Sequence, residues 1–347
     1  MVVKYGVIGC GAIAQRRHIP EAEANPDSTV AAVSDPLEDR VAEVARQYGA
    51  EAFTDHSAML KKADIDAVVV AGPNALHAAM TIEALEAGKH VLVEKPMAVS
   101  RDEAEQMVQA AKGSGKYLMI GMNQRLMPPH VKAKEVLEAG KLGRVLTFRT
   151  AFKHAGPEGW SIDAGKSWFF RKQEAFMGVT GDLGVHKADL MRWLLGDEYA
   201  EIGGLITTVD KRGPSGELIA LDDNAILTCR TESGTLGSII CSWTNYGPEE
   251  NYTVVYCEKG VMQIGVDPQY PVVVHYHNGN QELYKVGGIS TNVSQAVSEV
   301  IDTFTRHISE GTPPPIDGVE GYRALNAILT AMEAAEQGRM LKVDNVI

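Results

Sequence analysis

Gly9-Cys10-Gly11-Ala12-Ile13-Ala14 follows the apolar run Tyr5-Gly6-Val7-Ile8 and opens a helical stretch. Gly9 permits a tight strand-to-helix turn, Gly11 lets the backbone approach a pyrophosphate, and Ala14 keeps the helix close to the sheet. Free amides at the start of such a helix, around Ala12 and Ile13, favour an anion, as does the helix dipole. Asp35 stands 21 residues after Ala14, just past the next apolar run, Thr29-Val30-Ala31-Ala32-Val33. A carboxylate there binds the two hydroxyls of a ribose and repels a 2′-phosphate, which points to NAD over NADP. Arg40, one helical turn further on, is within reach of such a phosphate, but a solvated helix-face charge is the simpler reading.

Working outward, apolar runs and helical patterns alternate. Leu37, Val41, Val44 and Tyr48 recur at helical spacing, and further helices are expected over 75–87, ending at Gly88, and over 101–112, after Ser100 as N-cap. Ala67–Ala71 and His90–Val93 are continuous apolar runs, the pattern of strands covered on both faces, and 117–122 closes the series. This alternation predicts a doubly wound parallel sheet over residues 1–125. After about Arg144 the pattern changes. Segments 144–154, 202–209, 224–231, 235–244, 252–257, 261–266 and 271–277 read as strands, several joined by tight turns such as Glu232-Ser233-Gly234. Helices are expected at 181–195, 293–310 and 319–337. Residues 126–347 thus read as a second α/β unit on a largely antiparallel sheet, with the final helix able to pack back on the first unit.

The chain has 347 residues, 45% of them hydrophobic, enough for two cores. Its 33 Lys and Arg against 45 Asp and Glu give a net charge of −12, which argues against nucleic acid as a partner. Cys10, Cys229, Cys241 and Cys257 show no C-x-x-C spacing and read as reduced thiols. His275 and His277 share a strand face, but two imidazoles alone make a poor metal site, and no metal is assigned. With no basic-then-apolar leader and no long apolar run, the expectation is a cytoplasmic protein without a membrane partner.

Two further segments carry chemistry. Glu94-Lys95-Pro96 ends a strand, where ligands gather in doubly wound sheets. An ammonium beside a reacting hydroxyl stabilises the alkoxide, and the Lys95–Pro96 bond is a candidate cis peptide. Without other evidence a surface lysine is the simpler reading. In Gly181-Asp182-Leu183-Gly184-Val185-His186-Lys187-Ala188-Asp189, helical spacing places Asp182, His186 and Asp189 on one face. A carboxylate aligned with an imidazole suits proton transfer, and a surface ion pair fits the spacing equally well.

Taken in order, these segments resemble the glucose–fructose oxidoreductase/inositol dehydrogenase (Gfo/Idh/MocA) family over nearly the full length. Gly72-Pro73-Asn74 with His77 is similar to the family's segment after the fourth strand, and Asn123 with Arg125 to that after the last strand of the first domain. One stretch departs: Met177-Gly178-Val179-Thr180-Gly181 stands where consecutive glycines are usual. The resemblance implies an N-terminal Rossmann domain and a C-terminal α/β domain whose open sheet forms a homodimer or homotetramer. It implies a nicotinamide cofactor held by Gly9, Gly11, Ala12, Ile13, Ala14, Asp35, Arg40, Ala71, Pro73, Asn74, His77, Glu94, Lys95 and Asn123. It further implies an NAD(P)-dependent oxidoreductase acting on a secondary alcohol of a sugar, sugar derivative or cyclic polyol such as an inositol. Lys95, Asp182 and His186 match its catalytic positions. His186 is then expected to take the hydroxyl proton, Asp182 to hold the substrate or the histidine tautomer, and Lys95 to stabilise the alkoxide. Arg125, His154, Trp160, Trp168, Arg171 and Tyr246 are the candidate substrate contacts. Two other readings remain: a glycoside-cleaving enzyme with tightly held NAD that works by transient oxidation, and a non-catalytic dinucleotide sensor. Retention of Lys95, Asp182 and His186 together speaks against the sensor.

Overall fold

The computed structural model describes residues 2–162, 167–289 and 297–347. The first sheet and its helices are β1 (Val3–Ile8), α1 (Ile19–Ala24), β2 (Ser28–Ser34), α2 (Glu38–Tyr48), β3 (Glu51–Phe53), α3 (His56–Lys62), β4 (Ala67–Val70), α4 (His77–Glu86), β5 (His90–Val93), α5 (Arg101–Ser114) and β6 (Leu118–Ile120). The strands are all parallel, in the order β3-β2-β1-β4-β5-β6. All four residues of β4 are buried, as its unbroken Ala-Val-Val-Val run requires when helices cover both faces. The order reverses between β1 and β4, and a crevice opens there at the carboxyl ends of the strands. α5 starts where expected, with Ser100 Oγ accepting from the Glu103 N–H at 3.2 Å. β3 is an addition: its Glu51 and Ala52 are exposed, so it shows no apolar run.

Helical backbone begins at Ala12, just after the glycine turn, and is widened into a π-turn over Ala14–His18 before α1. Pro20 lies directly beyond. Its missing N–H and its ring are incompatible with an ordinary preceding turn, and the widened turn accommodates both.

The second sheet region contains α6 (Pro128–Glu138), β7 (Val145–Lys153), α7 (Lys172–Ala175), α8 (Val185–Leu195), β8 (Tyr199–Thr207), β9 (Asn224–Thr231), β10 (Leu236–Ser242), β11 (Glu250–Cys257), β12 (Gly260–Ile264), β13 (Val272–Tyr276), β14 (Gln281–Tyr284), α9 (Val300–Glu310), α10 (Gly318–Gln337) and β15 (Leu341–Lys342). Among the described residues nine strands form it, in the order β14-β13-β12-β11-β7-β10-β9-β8-β15, and of their pairings only the central β7–β10 pair is parallel. β9 shows why one face stays open: Ala225, Leu227 and Cys229 are buried, while Ile226 between them is 54% exposed.

α3, α6, α7, β14 and β15 were not anticipated. The helix expected over 293–310 is observed from Val300, and the part of it at 293–296 falls outside the described residues. α9 lies against α1 and β1, where Thr305 Oγ1 is 2.8 Å from the Tyr5 hydroxyl. α10 packs against α8 and β8 on one side and α5 on the other. Among the described residues no helix is long and apolar enough to cross a membrane.

Candidate active site

A cavity of about 760 Å³ runs from the glycine turn to α8. Gly9, at the end of β1, has φ +92°, and a Cβ there would meet the Ala71 carbonyl oxygen at 2.7 Å, so no other residue fits. Gly11 is the opposite case. Apart from its chain neighbours, no atom of the described residues lies within 4 Å of its would-be Cβ, which would project into open space at the cavity wall. That is a cradle a ligand backbone can occupy. Gly11→Val is therefore expected to leave the thermal transition of the ligand-free protein in place while weakening NADH binding about 10–100-fold, read by fluorescence titration.

Asp35 lines the same wall. Its Oδ2 accepts from the Cys10 N–H at 2.9 Å and its Oδ1 from the Leu37 N–H at 3.0 Å, which holds the carboxylate at the strand end. Arg40 Nη1 is 3.6 Å from Asp35 Oδ2, so this arginine turns toward the cavity wall rather than out to solvent. Cys10 is fully buried; burial pushes its thiol up to about 12, with the Asp35 charge adding to the effect. Ala12, Ile13, Ala71, Pro73, Asn74, His77, Glu94, Lys95 and Asn123 also border the cavity. Ala14 does not. It is fully buried against the sheet, as a close helix–strand approach needs. Asn74 and His77 act on the backbone: Asn74 Nδ2 donates to the Ala175 carbonyl at 2.9 Å, and the His77 ring nitrogens lie 2.8 and 2.9 Å from the Pro96 and Gly72 carbonyls.

The Lys95–Pro96 peptide is cis. Glu94 turns away from the reacting end and pairs with buried His18, Oε1 to Nε2 at 2.8 Å. Burial alone would raise its pKa, but His18, then Arg17 and Lys95, bring it down to about 2. Lys95 Nζ donates to both the backbone oxygen and Oδ1 of Asp182, each at 2.8 Å.

Asp182 sits in a π-turn, Thr180–Gly184, that leads into α8. Its second oxygen, Oδ2, accepts from Trp243 Nε1 at 2.9 Å and lies 3.6 Å from His154 Nε2. His154 Nδ1 accepts from the Gly156 N–H at 2.9 Å, so in the neutral ring Nε2 carries the proton and faces Asp182. Burial would push Asp182 up, but Lys95 first and His154 second hold it far below the usual carboxylate range. No hydrogen bond joins Asp182 to His186 among the described residues; the aspartate serves the lysine, not the imidazole. His186 lines the cavity, and its buried Nδ1 has no partner among the described residues. Burial, then the Lys95 charge, hold its pKa well below 6.5, so the ring is neutral and ready to accept a proton. Asn123 Oδ1 and Trp160 Nε1 are likewise buried, bordering the cavity and without partners among the described residues. Orphaned polar atoms around one cavity fit a site that is completed by ligands.

Trp160, Trp168, Arg171 and His154 border this cavity; Trp168 stacks on Phe169, with ring centroids 4.0 Å apart. Two candidate contacts are displaced from it. Arg125 points the other way, its Nε 2.7 Å from Asp189 Oδ2, with Glu320 Oε2 2.6 Å from its Nη2. Asp189 therefore belongs to this buried ion cluster and not to a face shared with Asp182 and His186. Tyr246 is 64% exposed, in the turn after β10, where its hydroxyl donates to Asp210 and its ring lies under Lys211 Nζ at 4.8 Å. Trp243 and His18 were missed by the sequence reading. Trp243 follows Cys241 at the two-residue period of β10's inward face, which is the signal that places it inside.

Comparison with known proteins follows the same division of the chain. Residues 3–122 match the family model described as an oxidoreductase family with NAD-binding Rossmann fold, and residues 130–263 match the GFO/IDH/MocA C-terminal domain. The chain is 31% identical to inositol 2-dehydrogenase/D-chiro-inositol 3-dehydrogenase of Shouchella clausii, over 98% of this chain and 93% of that protein. It is 26% identical to myo-inositol 2-dehydrogenase of Thermotoga maritima over 99% of this chain and all of that one. Among solved structures, levoglucosan dehydrogenase in complex with NADH superposes with a TM-score of 0.87 at 24% identity, covering 99% of this chain and 100% of that one.

Proposed function

The chain belongs to the GFO/IDH/MocA oxidoreductase family and carries its NAD-binding domain, and on that basis we propose that it oxidises a secondary alcohol of a sugar, sugar derivative or cyclic polyol with NAD. The observation that carries this reading is the Lys95–Asp182 pair facing the same cavity as the neutral His186, at the end away from the glycine turn. The inositol and levoglucosan dehydrogenases among its relatives support the substrate class.

NAD, when bound, supplies the hydride acceptor. The residues supply the rest. Gly11 and the amides after it hold the pyrophosphate, and Asp35 holds the adenosine ribose and disfavours a 2′-phosphate. His186 takes the hydroxyl proton. Lys95, held by both Asp182 oxygens it touches, places its ammonium where alkoxide charge develops. Trp243 and His154 occupy the other face of the Asp182 carboxylate, so it cannot swing away from Lys95. The test is a panel of inositols, hexoses, their acids and anhydro-sugars, with NAD and NADP in parallel and NADH absorbance as readout. NADH formation with at least one member is expected; failure of every member would remove the proposal.

The His186 environment also sets a pH dependence. The base must be unprotonated, and burial together with Lys95 lowers its pKa, so the acid limb of kcat/KM should lie below the ordinary imidazole range. Lys95→Met removes a cation that opposes His186 protonation, so the limb should move to higher pH; a limb that stays in place would exclude His186 as the titrating base.

The open sheet face supports assembly into a homo-oligomer. Leu205 and Ile226 are cross-strand partners there, 74% and 54% exposed. Ile226→Glu is expected to shift the protein toward monomer in size-exclusion chromatography with light scattering, and an unchanged mass would place the contact elsewhere.

A further inference from the structure

Gln124 stands just past β6, only 2% exposed, and borders the cavity between Asn123 and the Arg125 ion cluster. Its side-chain oxygen accepts from Asn251 Nδ2 at 3.2 Å, and Asn251 Oδ1 in turn accepts from Lys187 Nζ at 2.6 Å. Lys187, next to His186 on α8, is fully buried, with the Phe152 ring 5.8 Å from its Nζ. Nothing in the reaction described above uses it.

An ammonium has donors and no acceptor, so the end of Asn251 that faces Lys187 is its oxygen. That leaves Nδ2 to face Gln124, which must answer with its own oxygen. The Gln124 Nε2 is then what remains, and it meets no partner among the described residues. The Gln124 backbone is pinned as well, its carbonyl accepting from His130 Nδ1 at 2.7 Å. A buried lysine thus determines, through two amides, that the end of Gln124 left over is its donor and not its acceptor.

We propose that Gln124 gives its Nε2–H to an oxygen at the reacting end of the cavity, with Lys187 and Asn251 as positioning residues. This rests on the reading that the cavity takes NAD and a polyol or sugar. The accepting oxygen has two sources, the nicotinamide carboxamide or the substrate, and the experiment separates them.

Gln124→Leu removes the donor. Asn251→Asp keeps the bond from Lys187 with one oxygen and offers the other to Gln124, so the glutamine amide turns over and shows the cavity its oxygen instead. Burial pushes Lys187 down to about 7, so measurements are made near pH 6, where it carries its proton. The readouts are the dissociation constants of NADH and of ADP-ribose, which lacks the nicotinamide, and KM for the panel compound that the parent oxidises fastest. Both variants are expected to lose about tenfold in one arm, the size of one hydrogen bond whose partner is left unmet. A loss in NADH affinity with ADP-ribose unchanged identifies the carboxamide; a raised KM with NADH unchanged identifies the substrate. The proposal is overturned if Gln124→Leu moves neither arm, if ADP-ribose weakens as much as NADH, or if Asn251→Asp does not follow Gln124→Leu. A parent that binds NADH but oxidises no panel member removes the functional reading alone, and the NADH arm then decides this one.

Discussion

His186→Ala is expected to lower kcat for alcohol oxidation by about 10²–10⁴-fold, the usual contribution of a positioned general base. NADH affinity should stay near that of the parent, because the contacts proposed for the pyrophosphate and adenosine ribose, the glycine turn and Asp35, do not involve His186. The reasoning starts from the ring's surroundings. His186 is buried in the cavity wall, its Nδ1 has no partner among the described residues, and burial and Lys95 keep it neutral. A surface histidine paired with Asp182 would show the reverse: a charged ring with its proton committed to the carboxylate. Pre-steady-state absorbance at saturating NAD separates the chemical step from product release. An unchanged burst rate with normal product release would remove His186 from the chemistry.

Arg125→Met should produce the largest loss of stability. The guanidinium forms a two-point bond with Asp189, which is 0% exposed, and a third bond to Glu320 of α10. Removing one partner of a buried pair leaves an uncompensated charge and costs about 3–5 kcal/mol. The pH dependence follows from Asp189. Its pKa is raised by burial, against the pull of Arg125, so Asp189 takes up a proton more readily in the native than in the unfolded chain, and stability falls as pH rises from the unfolded toward the folded pKa. Without Arg125 that pKa climbs further. The variant's deficit, measured by urea titration, should therefore be larger at neutral pH than under acid conditions. A loss below about 1 kcal/mol, the range of exposed pairs, would mean that the cluster is effectively solvated.

The sequence was most informative where one local pattern decided the outcome. The glycine turn and the unbroken runs of β4 and β5 need only their neighbours to be read, and they placed the parallel sheet and its crevice. β3 and α6 lacked such a pattern: two of the three β3 residues are exposed, and α6 buries only Pro129, His130, Ala133 and Val136. Among the chemical residues, Lys95 and His186 stood out only through the family resemblance, since a strand end alone left Lys95 a surface lysine and helical spacing alone left His186 in a surface ion pair. The partners of Asp182 were not legible, since Trp243 lies 61 residues away, just past a strand whose register only the folded sheet reveals. Arg125 shows the converse failure. The resemblance of its segment suggested a ligand contact, and its partner in the structure, Asp189, is 64 residues distant. Charge can be read from one residue, but pairing requires the fold.

Hydride transfer itself is tested most directly with deuterium. A panel compound that is oxidised is prepared with deuterium on the reacting carbinol carbon and incubated with NAD, and the reduced cofactor is analysed by mass spectrometry together with the carbonyl product. The expected result is one carbon-bound deuterium in each NADH, with carbonyl product in equal amount. NADH without deuterium, or no NADH with any compound of the panel, would contradict the assignment of this chain as a sugar or polyol dehydrogenase.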